Sequence, residues 1–145
     1  AAFEALYKEV QSSKSKVQGS RIIHVFGAAG ERDCGKRPLL GEIAGKNADL
    51  VILADEDPYG EDPEQILDDL ERGMSKSDLV HQGRTLTRIR DRRLAIREAF
   101  SQARPGDIVL VTGKGAEETI AVGSRLIPWN DRRVIEEELA ALGYR

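Results

Sequence analysis

A glycine-rich segment with basic residues follows an apolar run near the start of the chain. Its spacing from Gly30 to Lys36 matches the G-x-x-x-x-G-K pattern of a nucleotide-binding phosphate loop. In that pattern a Ser or Thr follows the lysine and ligates Mg²⁺, but here the next residue is Arg37. Glu31 and Asp33 also lie inside the loop, where their charges would repel phosphate groups. These mismatches weigh against an ATP site in this segment.

The same segment, residues 27–36 (the first loop), has two other interpretations. Gly27 and Gly30 allow a sharp turn and a close approach of the backbone to a ligand. Positive charge comes from Arg32, Lys36 and Arg37. A carboxylate or a phosphate bound by Arg32 is therefore one interpretation. A glycine turn with an ion-paired rim and no ligand is the other.

A cluster of acidic residues follows the next apolar run, at residues 55–62 (the second loop). Its carboxylates belong to Asp55, Glu56, Asp57, Glu61 and Asp62. Their summed charge favours an amine or a divalent metal, although their spacing does not match an EF-hand. A solvated acidic turn is the alternative, because Asp62 stands at the N-cap position of a helix that Pro63 begins.

A third glycine-containing segment, residues 113–118 (the third loop), follows the strongest strand signal. Gly113 and Gly115 flank Lys114, and Glu117 follows two residues later. Backbone amides exposed by glycines bind carboxylates or phosphates, and a glutamate can hold an amine. Together the three loops predict a pocket with one site for an anion and one for an amine, which suits a zwitterion such as an amino acid.

The elements that must position these loops are predicted from apolar periodicity. Three apolar runs, at residues 21–26, 49–54 and 108–113, predict strands, and the second of them lacks the polar alternation of a half-exposed strand, which is typical of a parallel strand covered on both faces. A short strand is expected at residues 85–89. Helices are predicted at residues 1–10, 38–46, 63–73 with Gly73 as C-cap, 91–103 with Asp91 as N-cap, and 131–142 ended by Gly143.

This alternation predicts an α/β fold in a single domain, residues 1–145, with a Rossmann-like, mostly parallel sheet and helices on both faces. A C-terminal β-hairpin is expected around Gly123 and Ser124, which leaves open whether the sheet is wholly parallel or mixed. In open α/β sheets, ligands bind at the carboxyl edge of the strands. The three loops all follow strand ends, so we expect the pocket there.

Composition excludes several functional classes. The net charge of −3 gives no general electrostatic reason to bind nucleic acid. No apolar run approaches the roughly 20 residues that cross a bilayer, so we expect a cytoplasmic protein without membrane contacts. The single cysteine, Cys34, excludes an intramolecular disulfide, and the two separated histidines argue against a zinc site. His24 lies within an apolar run and is expected in the core.

Four segments, in this order along the chain, carry motifs of a known family. The motifs Gly-Asp-Arg-Asp-x-Gly-Lys-Arg-Pro, Asp-Asn-Pro-Arg-x-Glu-Asp-Pro, Gly-Lys-Gly-His-Glu and Asp-Asp-Arg resemble residues 30–38, 56–63, 113–117 and 130–132. The chain thus resembles the Mur ligases, in particular the C-terminal domain of the UDP-N-acetylmuramoyl-tripeptide synthetases. The resemblance covers nearly the whole chain.

The resemblance implies an ATP-dependent ligase of peptidoglycan precursor synthesis. Such enzymes activate the carboxylate of UDP-MurNAc-L-Ala-D-Glu as an acyl phosphate, which the amine of an incoming amino acid attacks. The implied role of this domain is to hold that amino acid, without a catalytic residue of its own. ATP and Mg²⁺ would bind mainly to a central domain that this chain lacks, so the domain alone is expected to be inactive.

The resemblance also implies roles for individual residues. Arg32 would bind the amino acid's carboxylate, and Gly113 and Glu117 the far polar end of its side chain. The full expected set is Arg32, Glu56, Asp57, Tyr59, Gly113 and Glu117, supported by Lys36 and Arg37 and without a metal ligand.

Two residues of the second motif depart from the family pattern. Tyr59 replaces an arginine found where meso-diaminopimelate is selected, and it cannot pair with the distal carboxylate in a bidentate way. Asp57 replaces an asparagine and adds negative charge, which favours a side chain ending in an amine, such as lysine or ornithine. A stand-alone module that binds a small zwitterion or a partner protein, without catalysis, is the alternative function.

Overall fold

Strands and helices alternate along the chain, as the apolar runs predict. The computed structural model describes residues 2–14, 20–31, 34–74 and 85–144. These residues form α1 (Ala2–Lys14), β1 (Ile22–Phe26), α2 (Arg37–Asn47), β2 (Leu50–Leu53), α3 (Pro63–Met74), β3 (Thr85–Arg88), α4 (Arg92–Gln102), β4 (Ile108–Val111), β5 (Thr119–Val122), β6 (Arg125–Pro128) and α5 (Asp131–Ala141). A 3₁₀ turn, Cys34–Lys36, precedes α2.

The first four strands form a parallel sheet in the order β3-β2-β1-β4. Ile23 of β1 pairs with Leu50 of β2, and Ile22 pairs with Ile108 of β4. From β1 the chain adds β2 and β3 on one side and then β4 on the other side, so the strand order reverses at β1. Parallel strands end at one edge, so all three loops leave the sheet there, and the predicted α/β fold is confirmed.

Alternate residues of β1 enter separate cores on the two faces of the sheet. Ile22 and Phe26 face α1, α2 and α3, where Leu70 is fully buried. Ile23 and Val25 face α4 and α5, where they join Ile96 and Val134. Covering on both faces explains why the strands are continuously apolar.

His24 of β1 lies in the first of these cores, as expected. Its Nδ1 is hydrogen-bonded to the Tyr7 hydroxyl of α1, and its Nε2 lies 2.7 Å from Thr112 Oγ1. Burial lowers the pKa of His24 to about 3, so the ring is neutral at pH 7. The residue therefore connects α1 to the end of β4 without carrying charge.

Gly41 and Gly73 bring α2 and α3 into direct backbone contact. A Cβ atom on Gly73 would lie 1.8 Å from the Pro38 carbonyl oxygen, and one on Gly41 would lie 1.9 Å from that of Leu70. The prediction that Gly73 is the C-cap of α3 is wrong, because Gly73 lies inside the helix and Met74 follows it. The close crossing with α2, and not a left-handed turn, requires glycine here.

The predicted hairpin is confirmed, with Gly123 at a φ of 60° in its turn. Its strands form a separate antiparallel pair, so the described sheet of β1 to β4 is wholly parallel and not mixed. The hairpin contacts the second loop, because the Tyr59 N–H donates to the Ala121 carbonyl at 3.0 Å. It therefore supports the edge where the loops meet.

Predicted helix caps and boundaries agree with the structure at most ends. Asp91 is the N-cap of α4 and accepts a hydrogen bond from the Leu94 N–H at 3.1 Å. Gly143 follows α5 with a φ of 92°. β3 matches the strand expected at residues 85–89, while residues 75–84 lie outside the described part. Among the described helices, none is long and apolar enough to cross a membrane.

The α2–α3 contact can be tested with Gly73→Ala. Alanine normally stabilises a helix interior by about 1 kcal/mol over glycine, but here its methyl group would collide with the Pro38 backbone. We expect a loss of about 1–3 kcal/mol in the free energy of unfolding, measured by urea denaturation. Gly60→Ala is the control, because the nearest atom to its Cβ would be Glu31 Oε1 at 3.4 Å. A neutral or stabilised Gly73→Ala variant would contradict the contact.

Candidate functional site

Arg37, the first residue of α2, links the first loop to the second loop and to α3. Its side chain is 2% exposed. Nη1 donates to Glu61 Oε2 at 2.5 Å and to Asp69 Oδ2 at 3.0 Å, and Nη2 donates to Glu61 Oε1 at 2.8 Å and to the Ala29 carbonyl at 3.1 Å. Both Nη groups of Arg37 therefore already bind protein acceptors. Arg37 has no free Nη donor with which to support an anion, contrary to the expectation.

The backbone of the first loop is also pressed against the second loop. The Gly30 N–H donates to the Asp57 carbonyl at 2.7 Å. A Cβ atom on Gly30 would lie 2.0 Å from the Pro58 carbonyl oxygen, and one on Gly27 would lie 2.0 Å from that of Ala54. The glycines thus serve a contact between loops, and the Gly30 N–H and the Glu31 N–H, which donates to Glu61 Oε1 at 2.9 Å, are not available to a phosphate. These contacts, with Arg37 where a phosphate loop has Ser or Thr, weigh against an ATP site among the described residues of the first loop.

Lys114 joins the third loop to the second loop. Its side chain is buried, and Nζ lies 2.6 Å from Asp57 Oδ2 and 2.9 Å from Glu117 Oε2. Burial opposes its charge, but the hydrogen bonds with Asp57 and Glu117 raise the pKa of Lys114 above its usual value. Asp57 Oδ1 also accepts from the Ala121 N–H at 2.8 Å. Asp57 carries a negative charge where the motif has a neutral asparagine, and this charge is therefore paired with Lys114.

Glu56 faces a cavity of about 350 Å³ at the edge of the sheet, next to Lys36 and Gly113. A Cβ atom on Gly113 would lie 2.4 Å from Glu56 Oε2, and Gly113 has a φ of 110°, so only glycine fits there. Burial raises the pKa of Glu56, while the charge of Arg92 opposes that rise. Among the described residues, none donates a hydrogen bond to this carboxylate. Glu56 thus offers a half-buried acceptor to a cationic ligand.

Tyr59 adopts a left-handed backbone conformation with a φ of 52°. Such values are uncommon for large side chains and need support from the surrounding structure. The hairpin provides it, since Tyr59 is bonded through its N–H to Ala121 and through its carbonyl to the Gly123 N–H at 2.5 Å. Tyr59 stands where the motif of the sequence analysis has an arginine, and its backbone is therefore held in place by the hairpin. It lies two residues after Asp57, which pairs with Lys114 of the third loop.

The structure places two of the residues expected to bind an amino acid, Glu56 and Gly113, at the cavity, together with the expected supporting residues Lys36 and Arg37. Asp57 and Glu117 do not line the cavity but both pair with Lys114, and Glu117 is exposed. Tyr59 does not line it either. Arg32 lies outside the described residues. In the described ranges, no group of three or more His, Cys, Asp or Glu side chains is arranged to hold a metal ion.

Sequence reasoning missed a buried ion pair behind the site. Arg92 of α4 donates from Nε and Nη2 to the two carboxylate oxygens of Asp131 of α5, both at 2.8 Å. Arg92 stands in the first turn of a predicted helix, where a charged residue is usually solvated, so no pattern singled it out. Asp131 lies in the fourth family motif, which was the only signal available.

The contact between Arg37 and Glu61 predicts a pH dependence of stability. The hydrogen bond from Arg37 lowers the pKa of Glu61 from 4.5 to about 2. Its stabilisation is therefore complete above pH 4.5 and is lost as the pH falls to about 2. We expect Glu61→Gln to lose about 1–3 kcal/mol in unfolding free energy at pH 7.

The measurement is chemical denaturation at several pH values between 7 and about 2. Over the acid range, the stability of Glu61→Gln should fall less steeply than that of the wild type. Glu64→Gln removes an exposed carboxylate nearby and is the control. Parallel acid profiles for the wild type and Glu61→Gln would show that this ion pair does not form.

Comparison with known proteins places this geometry in a family. The family model described as "Mur ligase, glutamate ligase domain" matches residues 1–115. The chain is 47% identical over 143 residues to UDP-N-acetylmuramyl-tripeptide synthetase of Roseiflexus sp. (strain RS-1), covering 99% of this chain and 27% of that protein. It is 38% identical over 133 residues to UDP-N-acetylmuramoyl-L-alanyl-D-glutamate--2,6-diaminopimelate ligase of Caldanaerobacter subterraneus subsp. tengcongensis, covering 92% of this chain and 27% of that protein.

Structural comparison agrees with the sequence matches. A solved structure of a UDP-N-acetylmuramoyl-L-alanyl-D-glutamate--2,6-diaminopimelate ligase superposes with a TM-score of 0.84 at 34% identity, covering 99% of this chain and 28% of that one. The chain therefore spans little more than a quarter of the length of these relatives. The resemblance seen in the four motifs is confirmed: the chain belongs to the Mur ligase family, as its glutamate ligase domain.

Proposed function

We propose that this chain is the amino-acid-binding domain of a cytoplasmic, ATP-dependent ligase that adds the third amino acid to UDP-MurNAc-L-Ala-D-Glu. The observation that carries the proposal is the cavity at the sheet edge, where Glu56 faces Gly113 and has no described hydrogen-bond donor. The names of the relatives, tripeptide synthetases and diaminopimelate ligases, support the same reaction class. ATP and Mg²⁺ would bind to another part of the natural protein, because Arg37 and the Gly30 N–H already bind acceptors within this domain.

The amino acid would be held by charges of opposite sign at its two ends. Glu56 and the exposed Glu117 would accept hydrogen bonds from the amine of its side chain. Lys36, which lines the cavity, and Arg32 would bind its carboxylate. Held at both ends, the amino acid would present its α-amine to the acyl phosphate in a fixed orientation, which lowers the entropic part of the barrier.

The same charges determine which side chain fits. Lys114 pairs with both Asp57 and Glu117, so these three side chains together keep one negative charge, and Glu56 adds a carboxylate that has no described donor. Tyr59 provides no cation for a second carboxylate. The arrangement therefore favours lysine or ornithine over meso-diaminopimelate, whose distal carboxylate would face these glutamates.

A ligation assay tests the function and the selectivity separately. The natural protein that contains this chain is supplied with ATP, Mg²⁺, UDP-MurNAc-L-Ala-D-Glu and each of lysine, ornithine and meso-diaminopimelate. We expect product formation with the highest kcat/KM for an amine-ended amino acid. Failure to ligate any amino acid would overturn the function. A preference for meso-diaminopimelate would overturn only the selectivity argument.

Tyr59→Arg tests the selectivity at one residue. An arginine here supplies the bidentate partner that a distal carboxylate needs, so the ratio of kcat/KM for meso-diaminopimelate over lysine should rise about tenfold or more. Tyr59→Phe keeps the ring without adding charge and should leave that ratio unchanged. An equal ratio in both variants would show that residue 59 does not contact the side chain.

A further inference from the structure

We infer that a buried network of Arg92, Asp131 and Trp129 positions the third loop for binding of the amino acid. The inference rests on the proposed function and adds three residues that lie behind the site. None of them lines the cavity that Glu56 faces. They act through the loop, and they are therefore positioning residues.

The network joins the first turns of α4 and α5. Arg92 is 3% exposed and Asp131 4% exposed, so both charges are removed from water. The planar guanidinium binds both carboxylate oxygens at 2.8 Å. The Trp129 indole donates from Nε1 to Asp131 Oδ1 at 2.6 Å. Each oxygen of Asp131 therefore has a partner, and the geometry of the network is fixed.

The same residues hold both ends of the third loop. Arg92 Nη2 donates to the carbonyl of Thr112, the residue before the loop, at 2.9 Å. The Trp129 backbone N–H donates to the carbonyl of Glu118, the last residue of the loop, at 2.8 Å. Between these anchors lie glycines with φ values of 110° and 52°, at Gly113 and Gly115. A segment with such freedom needs fixed ends to keep one conformation.

Arg92 also reaches the loop that carries Glu56. Its Nη1 lies 3.4 Å from the Asp55 carbonyl oxygen, a long contact one residue before Glu56. The Arg92 charge also opposes the rise in the pKa of Glu56 that burial causes. One guanidinium therefore contacts the backbone beside both halves of the proposed amine site.

Stability alone does not account for this arrangement. Replacing a buried ion pair with apolar residues of similar size is often neutral for folding. α4 and α5 are also joined by other pairs, in which Arg93 and Arg97 bind Glu138 at 3.0 and 2.5 Å. An apolar residue in place of Arg92 could fill its space, but it could not donate to the Thr112 carbonyl.

The test uses the natural protein that contains this chain, with the double variant Arg92→Met with Asp131→Leu. This pair keeps apolar packing and removes the donors. We expect it to fold, with a KM for the amino acid raised about tenfold or more and an unchanged KM for ATP. Amides of residues 113–118 should exchange faster with deuterated solvent. Arg92→Lys keeps one charged donor and should give an intermediate KM.

Arg93→Met is the matched control, because it weakens the same helix pair without touching a loop carbonyl. Unchanged amino-acid KM and unchanged exchange in the double variant would overturn the inference. A KM rise that both variants share in proportion to their lost stability would also overturn it. If the wild type does not ligate, the proposed function fails, and the exchange of residues 113–118 still decides whether the network orders the loop.

Discussion

A charge that is removed from water must have a partner, and this constraint determines how the edge of the sheet is built. An unpaired buried ion costs several kcal/mol even after the protein relaxes. Among the residues that the structure describes, three cationic side chains are buried at or behind the edge, and each has its partner on another segment: Arg37 with Glu61 and Asp69, Lys114 with Asp57, and Arg92 with Asp131. These pairs join the three loops to each other and to α3, α4 and α5.

The candidate site is defined by the charged groups that these pairs do not use. Several groups that the sequence suggested for ligand binding instead bind other groups of the protein, among them Arg37, the Asp57 carboxylate and the Gly30 N–H. The charged side chains that line the cavity are those of Glu56, Lys36 and the already paired Arg37, while Glu117 is exposed and pairs with Lys114. These contacts hold the loops without a ligand, and under the proposed function this would reduce the entropic cost of binding an amino acid.

The fold was predictable because its signals are local. Runs such as residues 50–54 are apolar throughout because both faces of the strand are covered, and a parallel order then brings the loops to one edge. Gly73 shows the limit of this reasoning. Its backbone contact with Pro38 joins two helices, and nothing near Gly73 in the sequence encodes it.

The candidate site was predictable as a set of residue types but not as a set of pairs. Which carboxylate neutralises which cation depends on the meeting of loops 24 to 57 residues apart, as for Arg37 with Glu61 and Lys114 with Asp57. The sequence predicted that the negative charge of Asp57 favours a side chain ending in an amine. In the structure that charge pairs with Lys114, so it does not act on a ligand by itself. Arg92 was missed because its loop contacts are to backbone carbonyls, which no side-chain pattern reveals.

The proposed binding of the added amino acid at this edge of the sheet can be seen in a crystal structure of the natural protein with UDP-MurNAc-tripeptide. We expect the amine of the third residue's side chain at about 2.8 Å from a carboxylate oxygen of Glu56 or Glu117, with Arg37 still bound to Glu61. A third residue bound away from the second and third loops would contradict it.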